Sequence, residues 1–344
     1  MSTVATTRNY TIDAGRLIAS LFVLALHVDL GIQDGTTIAL IKLGCRWAVP
    51  FFFLVSGYFY QIRFAKDPAA AFKKNTLRLL KIYLITCVVY LPLAYKETGV
   101  FFKPAYLYNG TYGPLWFLPS MILGFVVLYL LHLLRLSQKA MLAVSLLFMA
   151  FVLLKDSYAN LIPGFSALPN HHKRIFISIP FLFFGMCIQQ QKSWFLQHIN
   201  WLGGAALIVA GYFLQVAEAY MLQSLKQYPL WGHQFLIGTG LIAFGVFAVV
   251  LTVHSGASKL SRWGELYSLM IYLYHPLIIA CLISLQSSAG FTTSWPLVMV
   301  CVVFGVTLLV VNFVYQYLPG VFGFLSGSFT IPFEKQPWIR SWKA

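Results

Sequence analysis

Charge is scarce in this chain, and negative charge is the scarcest. Only 10 % of its 344 residues are Asp, Glu, Lys or Arg, and just 9 of them are acidic. A soluble globular domain carries about 25 % charged and roughly 45–50 % apolar residues. No stretch here is polar enough to cover a large soluble domain. Disordered, coiled-coil, fibrous and nucleic-acid-binding classes are excluded on the same ground. The five cysteines (Cys45, Cys87, Cys187, Cys281, Cys301) show no CxxC spacing and lie in apolar segments. They indicate neither a disulfide framework nor a zinc site, and no metal is expected. No cleavable signal sequence is expected either. Arg8, Asp13 and Arg16 crowd the start, and no small-residue cleavage site follows the first apolar run. What the chain does have is apolar length: 59 % hydrophobic residues and a mean hydropathy of +0.77. The class that remains is all-α, a polytopic membrane protein.

Apolar runs recur over 12–30, 38–60, 82–95, 113–134, 139–155, 175–190, 201–217, 235–253, 267–285 and 296–318. They predict a bundle of about ten helices, against the ~20 residues each needs to cross a bilayer. The third is short and holds Pro92. Pro50, Pro119 and Pro180 lie inside or at the start of other spans, where a bundle tolerates a kink. No internal repeat stands out. The expectation is one integral membrane domain over 1–344.

The net charge of +15 reads as an orientation signal rather than a nucleic-acid footprint, because Lys and Arg flank spans on the cytoplasmic side. With the N-terminus inside, 15 of the 24 Lys and Arg fall on the inner side, 8 on the outer side, and Arg16 inside a helix. An N-in, C-in arrangement with an even number of spans follows. The loop 61–81 carries the strongest inner signal.

An ionisable residue within a span costs at least ~2.5–3.5 kcal/mol for Arg at the helix centre, so such residues usually mark a cavity. Arg16 and His27 are 11 positions apart on the first helix. At about 100° per residue they share a face, about 16 Å apart along the axis. They line one path through the bundle, or Arg16 snorkels inward and His27 sits at the outer interface. Arg46 lies near the outer end of the second span and could pair with Asp29 or Asp34. Ser56 and Gly57 permit close helix approach, and Pro50 frees a carbonyl in mid-membrane. Lys74, Arg78 and Lys81, spaced i, i+4, i+7, share a face that suits either the phosphates of a nucleotide-like cofactor or anionic lipid. Trp116, Glu218 and His275 are further candidates; each also has an ordinary reading as a belt, solvated or satisfied core residue.

Four stretches, taken in order, resemble the acyltransferase 3 family of integral membrane acyltransferases. They are Arg16 with His27, Val49–Tyr58 (VPFFFLVSGY), Leu115–Leu118 (LWFL) and Ser268–Pro276 (SLMIYLYHP). Within that family, Arg46–Pro50, Leu91–Leu93 and Glu218–Leu222 are similar to the membrane domain of vancomycin-resistance serine racemases. No racemase domain and no pyridoxal phosphate are implied. The resemblance implies about ten helices in the cytoplasmic membrane and transfer of an acyl group, commonly acetyl, from cytoplasmic acyl-CoA. The acceptor is usually a hydroxyl on a lipid-linked or extracytoplasmic glycan. The family often shows two arginines and a proline after the second span. Here the second arginine position reads Lys81 and the proline Ile82, which keeps the charge but loses the bidentate fork.

On that basis His27 is the expected general base, or is itself transiently acylated. Arg16 binds the CoA end or stabilises developing negative charge. Lys74, Arg78 and Lys81 hold CoA phosphates, with Arg78 the leading residue. Ser56, Trp116, His275, Glu218 and Arg46 line the substrate cavity. Two other classes compete: a transporter of a small amino acid such as serine or of an acyl carrier, and a structural or signalling scaffold. The expected partners are the bilayer, acyl-CoA and a glycan or lipid-linked acceptor, with no nucleic acid.

Overall fold

A computed structural model describes residues 9–28, 34–161, 174–226, 230–289 and 296–328. Arg8, Asp29, Lys173, Lys335, Arg340 and Lys343 lie outside these residues, as does the Lys226 side chain. Among the described residues the regular structure is helical, without strands.

The helices are α1 (Tyr10–His27), α2 (Gly35–Cys45), α3 (Ala48–Phe64), α4 (Pro68–Thr98), α5 (Tyr106–Asn109), α6 (Phe117–Leu133), α7 (Gln138–Lys155), α8 (Ser178–Gln190), α9 (Lys192–His198), α10 (Trp201–Lys226), α11 (Ile237–Thr252), α12 (Lys259–Ala289), α13 (Pro296–Tyr317) and α14 (Pro319–Leu325). Eight helical segments are long and apolar enough to span a membrane, counting α2 with α3 as one. Two shorter apolar segments, Arg174–Gln190 and Ile237–Thr252, bring the apolar helices to the number the sequence predicts.

Three boundaries differ from the sequence reading. The stretch 38–60 is two helices, broken by a turn at Arg46–Trp47. The basic stretch within 61–81 is not a loop. It is the first half of α4, which Asp67 caps by accepting from the Ala70 amide at 2.9 Å, with Pro68 in the first turn. A good N-cap and a proline at N1 start a helix wherever good helix formers follow. Pro50, Pro119 and Pro180 lie in the first turns of their helices rather than inside a continuous span. Each is the third residue of its helix. The amide that proline lacks there has no intrahelical acceptor in any case.

Small residues set the closest approaches. A Cβ on Gly57 of α3 would meet the Leu182 carbonyl of α8, and one on Gly185 of α8 would meet the Leu54 carbonyl of α3. The two backbones are therefore in direct contact, as small residues allow in a bundle. Gly264 does the same for α12 against the Asp13 carbonyl of α1. Around α3 packs an aromatic core in which Phe51, Phe53, Phe181 and Phe247 are fully buried.

Candidate functional site

Helix α1 positions the two residues that open the site. Asn9 caps it, its Oδ1 accepting from the Thr11 amide at 3.0 Å and the Ile12 amide at 3.3 Å. Arg16 follows in the second turn and is paired with buried Asp13, Nη1 to Oδ1 at 3.2 Å. His27 is the last residue of the helix. The two side chains reach different spaces.

Arg16 lines a cavity of about 430 Å³ together with Ser56, Arg63, Asn75, Arg78 and Ser268. His27 lines another, of about 490 Å³, together with Lys42, Arg46, Trp116, Asp156 and Arg174. The two lie at opposite ends of the bundle. The first half of α1 faces the Arg16 cavity and its last residue the His27 cavity, whereas on α3 the order is reversed: Val49 and Pro50 face the His27 cavity, and Ser56 to Arg63 the other. Neighbouring antiparallel helices give that reversal.

One residue, Tyr272 of α12, lines both cavities. It is buried and forms a triangle with Phe52 and Phe117. Its ring centroid lies 5.8 Å from Phe52 and 4.7 Å from Phe117, and those two are 6.1 Å apart. An aromatic partition thus separates the spaces that Arg16 and His27 face. Their axial offset of about 16 Å spans it.

Behind His27 sits His275. It is fully buried and lines neither cavity. Its Nδ1 lies 3.0 Å from the Ile271 carbonyl. A carbonyl only accepts, so Nδ1 carries the proton and Nε2 is left as an acceptor. No described residue hydrogen-bonds that Nε2.

The sequence candidates divide accordingly. His27, Arg46 and Trp116 line one cavity; Arg16, Ser56 and Arg78 line the other. Lys74 and Lys81 are exposed and line neither. The face of α4 turned to the Arg16 cavity is Asn75, Arg78, Leu79 and Ile82. Glu218 lines neither cavity. It is buried on α10, where it accepts from the Tyr158 hydroxyl and from the amides of Ile237 at 3.2 Å and Gly238 at 2.9 Å. It therefore closes the N-terminus of α11, where a carboxylate meets the positive end of the helix dipole.

Three site residues were not singled out in the sequence. Asp156 follows α7 and is buried; its Oδ2 accepts from the amides of Gln234 at 2.9 Å and Phe235 at 2.6 Å and from the Ser157 hydroxyl at 3.1 Å. Arg174 stands over the Trp116 ring, 5.9 Å from its centroid, and donates through Nε to Gln234 Oε1. Lys42 projects from α2. None of the three had a local signal, whereas the cavity residues Ser268 and Tyr272 lie in the SLMIYLYHP stretch. No cluster of metal-ligating side chains occurs among the described residues.

Comparison with known proteins gives one family, described as an acyltransferase domain, which matches residues 9–316. A serine/alanine racemase from Enterococcus gallinarum is 27 % identical over 300 residues, covering 79 % of this chain and 41 % of that protein. An amino-acid racemase from Enterococcus faecalis is 30 % identical over 179 residues, covering 48 % of this chain and 24 % of its own length. The chain therefore spans less than half the length of these curated relatives. No solved structure matches.

Proposed function

The chain belongs to the acyltransferase family, and from that premise we propose that it moves an acyl group, acetyl in the simplest case, across the bilayer from acyl-CoA to an acceptor hydroxyl. The observation that carries this reading is the pair of cavities meeting at Tyr272, with Arg16 in one and His27 in the other. A reaction that joins a donor from one side to an acceptor from the other needs two entrances and one meeting point.

The donor is assigned to the Arg16 cavity. Arg16, Arg63 and Arg78 bring three guanidinium groups to one space, and guanidinium is the preferred partner of phosphate oxygens. Asn75 and the buried Ser268 hydroxyl, which no described residue hydrogen-bonds, suit the amides of a pantetheine arm. The Arg16 cavity then faces the cytoplasm, which accords with the N-in orientation.

The acceptor is assigned to the His27 cavity. His27 takes the proton of the acceptor hydroxyl as its oxygen attacks the thioester carbonyl. The C–S bond then breaks, the ester remains on the acceptor, and the imidazolium returns its proton to the departing sulfur. The oxygen that becomes negative lies on the His27 side of the partition. Arg46 and Arg174 share that cavity and are the groups placed to stabilise it. Arg16, about 16 Å away along α1, is left to grip the donor.

The experiment is incubation of the purified chain in liposomes with radiolabelled acetyl-CoA and envelope glycans, paired with mass spectrometry of envelope glycans from cells with and without the gene. Label in the glycan, and one acetyl mass lost with the gene, supports the reading. Neither signal overturns it.

Two cavities at opposite ends of a bundle also suit alternating access, and racemases appear among the relatives. Transport of a small amino acid such as serine is the second reading. Uptake of labelled serine into proteoliposomes lacking acyl-CoA distinguishes it.

A further inference from the structure

Among the described residues that line the His27 cavity, cations outnumber carboxylates. Lys42, Arg46 and Arg174 line it as cations, and Asp156 is the one carboxylate among its described lining residues. Asp156 attracts Arg174, and its Oδ2 also accepts from two backbone amides and the Ser157 hydroxyl. Asp34 caps the start of α2 through the amides of Thr36 and Thr37 and does not line the cavity. Holding cations inside a bundle is costly, and a basic pocket is kept where something negative is bound.

Arg174 is built for that task. Its Nε donates to Gln234 and its Cζ lies 5.9 Å from the Trp116 ring centroid, contacts that restrain its rotation and leave the two terminal nitrogens of the fork outside the Gln234 bond. Carboxylate and phosphate groups take such a fork with two parallel hydrogen bonds. Lys42 comes from α2 and Arg46 from the turn before α3. The three cations therefore approach from separate elements and surround one volume. At about 490 Å³ it falls in the ~300–1,000 Å³ range of small-molecule sites.

We propose that the His27 cavity selects an anion: a hydroxyl-bearing small molecule or terminal sugar that carries a carboxylate or phosphate, seated against Lys42, Arg46 and Arg174. This rests on the acyl-transfer reading only in calling the bound compound an acceptor. The anion preference is measured without any donor.

The test is equilibrium binding of radiolabelled D-glucuronate, D-glucose 1-phosphate and D-glucose to the full chain in nanodiscs, at fixed ionic strength and without acyl-CoA. At least one anion is expected to bind about tenfold or more tightly than glucose, the scale of one charge-assisted pair. Which anion prevails identifies carboxylate or phosphate as the recognised group. Lys42→Gln and Arg174→Gln are each expected to weaken anion binding about tenfold and to leave glucose unchanged. Lys42→Arg is expected to retain anion binding. Arg174→Lys, which keeps the charge and loses the fork, is expected to fall between wild type and Gln. Unfolding temperature and elution volume confirm that each variant is folded. Anions binding no better than glucose, or equally well to both Gln variants, would overturn the proposal. If anions bind but no label passes from acetyl-CoA to any acceptor, the acyl-transfer reading fails and the anion site stands. If label passes equally to neutral and charged sugars, the reverse holds.

Discussion

His27 and His275 face each other with ring centroids 5.3 Å apart and planes inclined by 33°. One lines a cavity and the other is sealed in the bundle behind it. The contact joins the last residue of α1 to the middle of α12, and the Gly264–Asp13 approach holds those two helices together.

His27→Ala is expected to lower acyl transfer by about 10²–10⁴-fold, the usual contribution of a general base, with yield and unfolding temperature preserved. Retention of full activity in the folded variant would refute the assignment of His27 as base.

His275→Ala removes the ring that backs His27 and leaves a void. A loss of about tenfold in kcat, with donor KM little changed, is expected from displacement of His27. His275→Gln, which keeps polar reach near the Ile271 carbonyl, should recover part of that loss. Unchanged kcat in His275→Ala would show that His27 needs no backing.

On α4, the cavity face and the basic face share Arg78 alone, and kinetics can tell its role from that of the two lysines. Arg78→Gln and Arg16→Gln are expected to raise the donor KM by about tenfold, the worth of a charge-assisted phosphate contact. Lys74→Gln and Lys81→Gln, which alter exposed charges outside the cavity, should change it by less than about threefold. A larger effect at the lysines than at Arg78 would restore them as the donor-binding set.

Glu218 supplies a stability test. Glu218→Gln weakens the closure of α11 at the Ile237 and Gly238 amides. A cost of about 1–3 kcal/mol is expected, read as a lower unfolding temperature in detergent. The activity of the remaining folded protein should be near that of wild type. A large fall in kcat with unchanged stability would instead place Glu218 in the chemistry.

The aromatic partition is also open to test. Phe117→Ala opens the wall between the cavities and is expected to raise acyl-CoA hydrolysis relative to transfer, because water gains entry to the thioester. The same ratio in the variant and wild type would mean that Phe117 does not keep water out.

Much of the fold was legible because membrane spans advertise themselves as apolar length, and all ten stretches recur as helical segments. Arg16 and His27 were legible as polar positions on one helix; that they line two different cavities was not. The turn at Arg46–Trp47 was not, because both sides of it are equally apolar. The helical state of 68–81 was hidden by its charge, although the Asp67–Pro68 start signal was present. Asp156, Arg174 and Gln234 join the site through tertiary contacts between separate connections. No spacing rule in one chain reports that. Glu218 was read as a cavity residue at the end of a span limited to 217; α10 continues to Lys226, and Glu218 instead meets the start of α11.

The triangle of Phe52, Phe117 and Tyr272 has an electrical consequence. Cavities approach it from both ends of the bundle, and once they fill with water, mobile ions carry each bath potential inward. The transmembrane voltage, otherwise spread over a ~30 Å hydrocarbon core, then falls across this thin insulating layer. The local field is steepened in proportion. In the proposed transfer the acyl group moves one way as the acceptor's proton moves the other way to the sulfur, so no net charge crosses the layer, whereas a lone proton or an anion moved through it costs about 2.3 kcal/mol per 100 mV. On the proposed reading, the partition makes the bundle a capacitor whose thinnest point is the place where the acyl group changes sides.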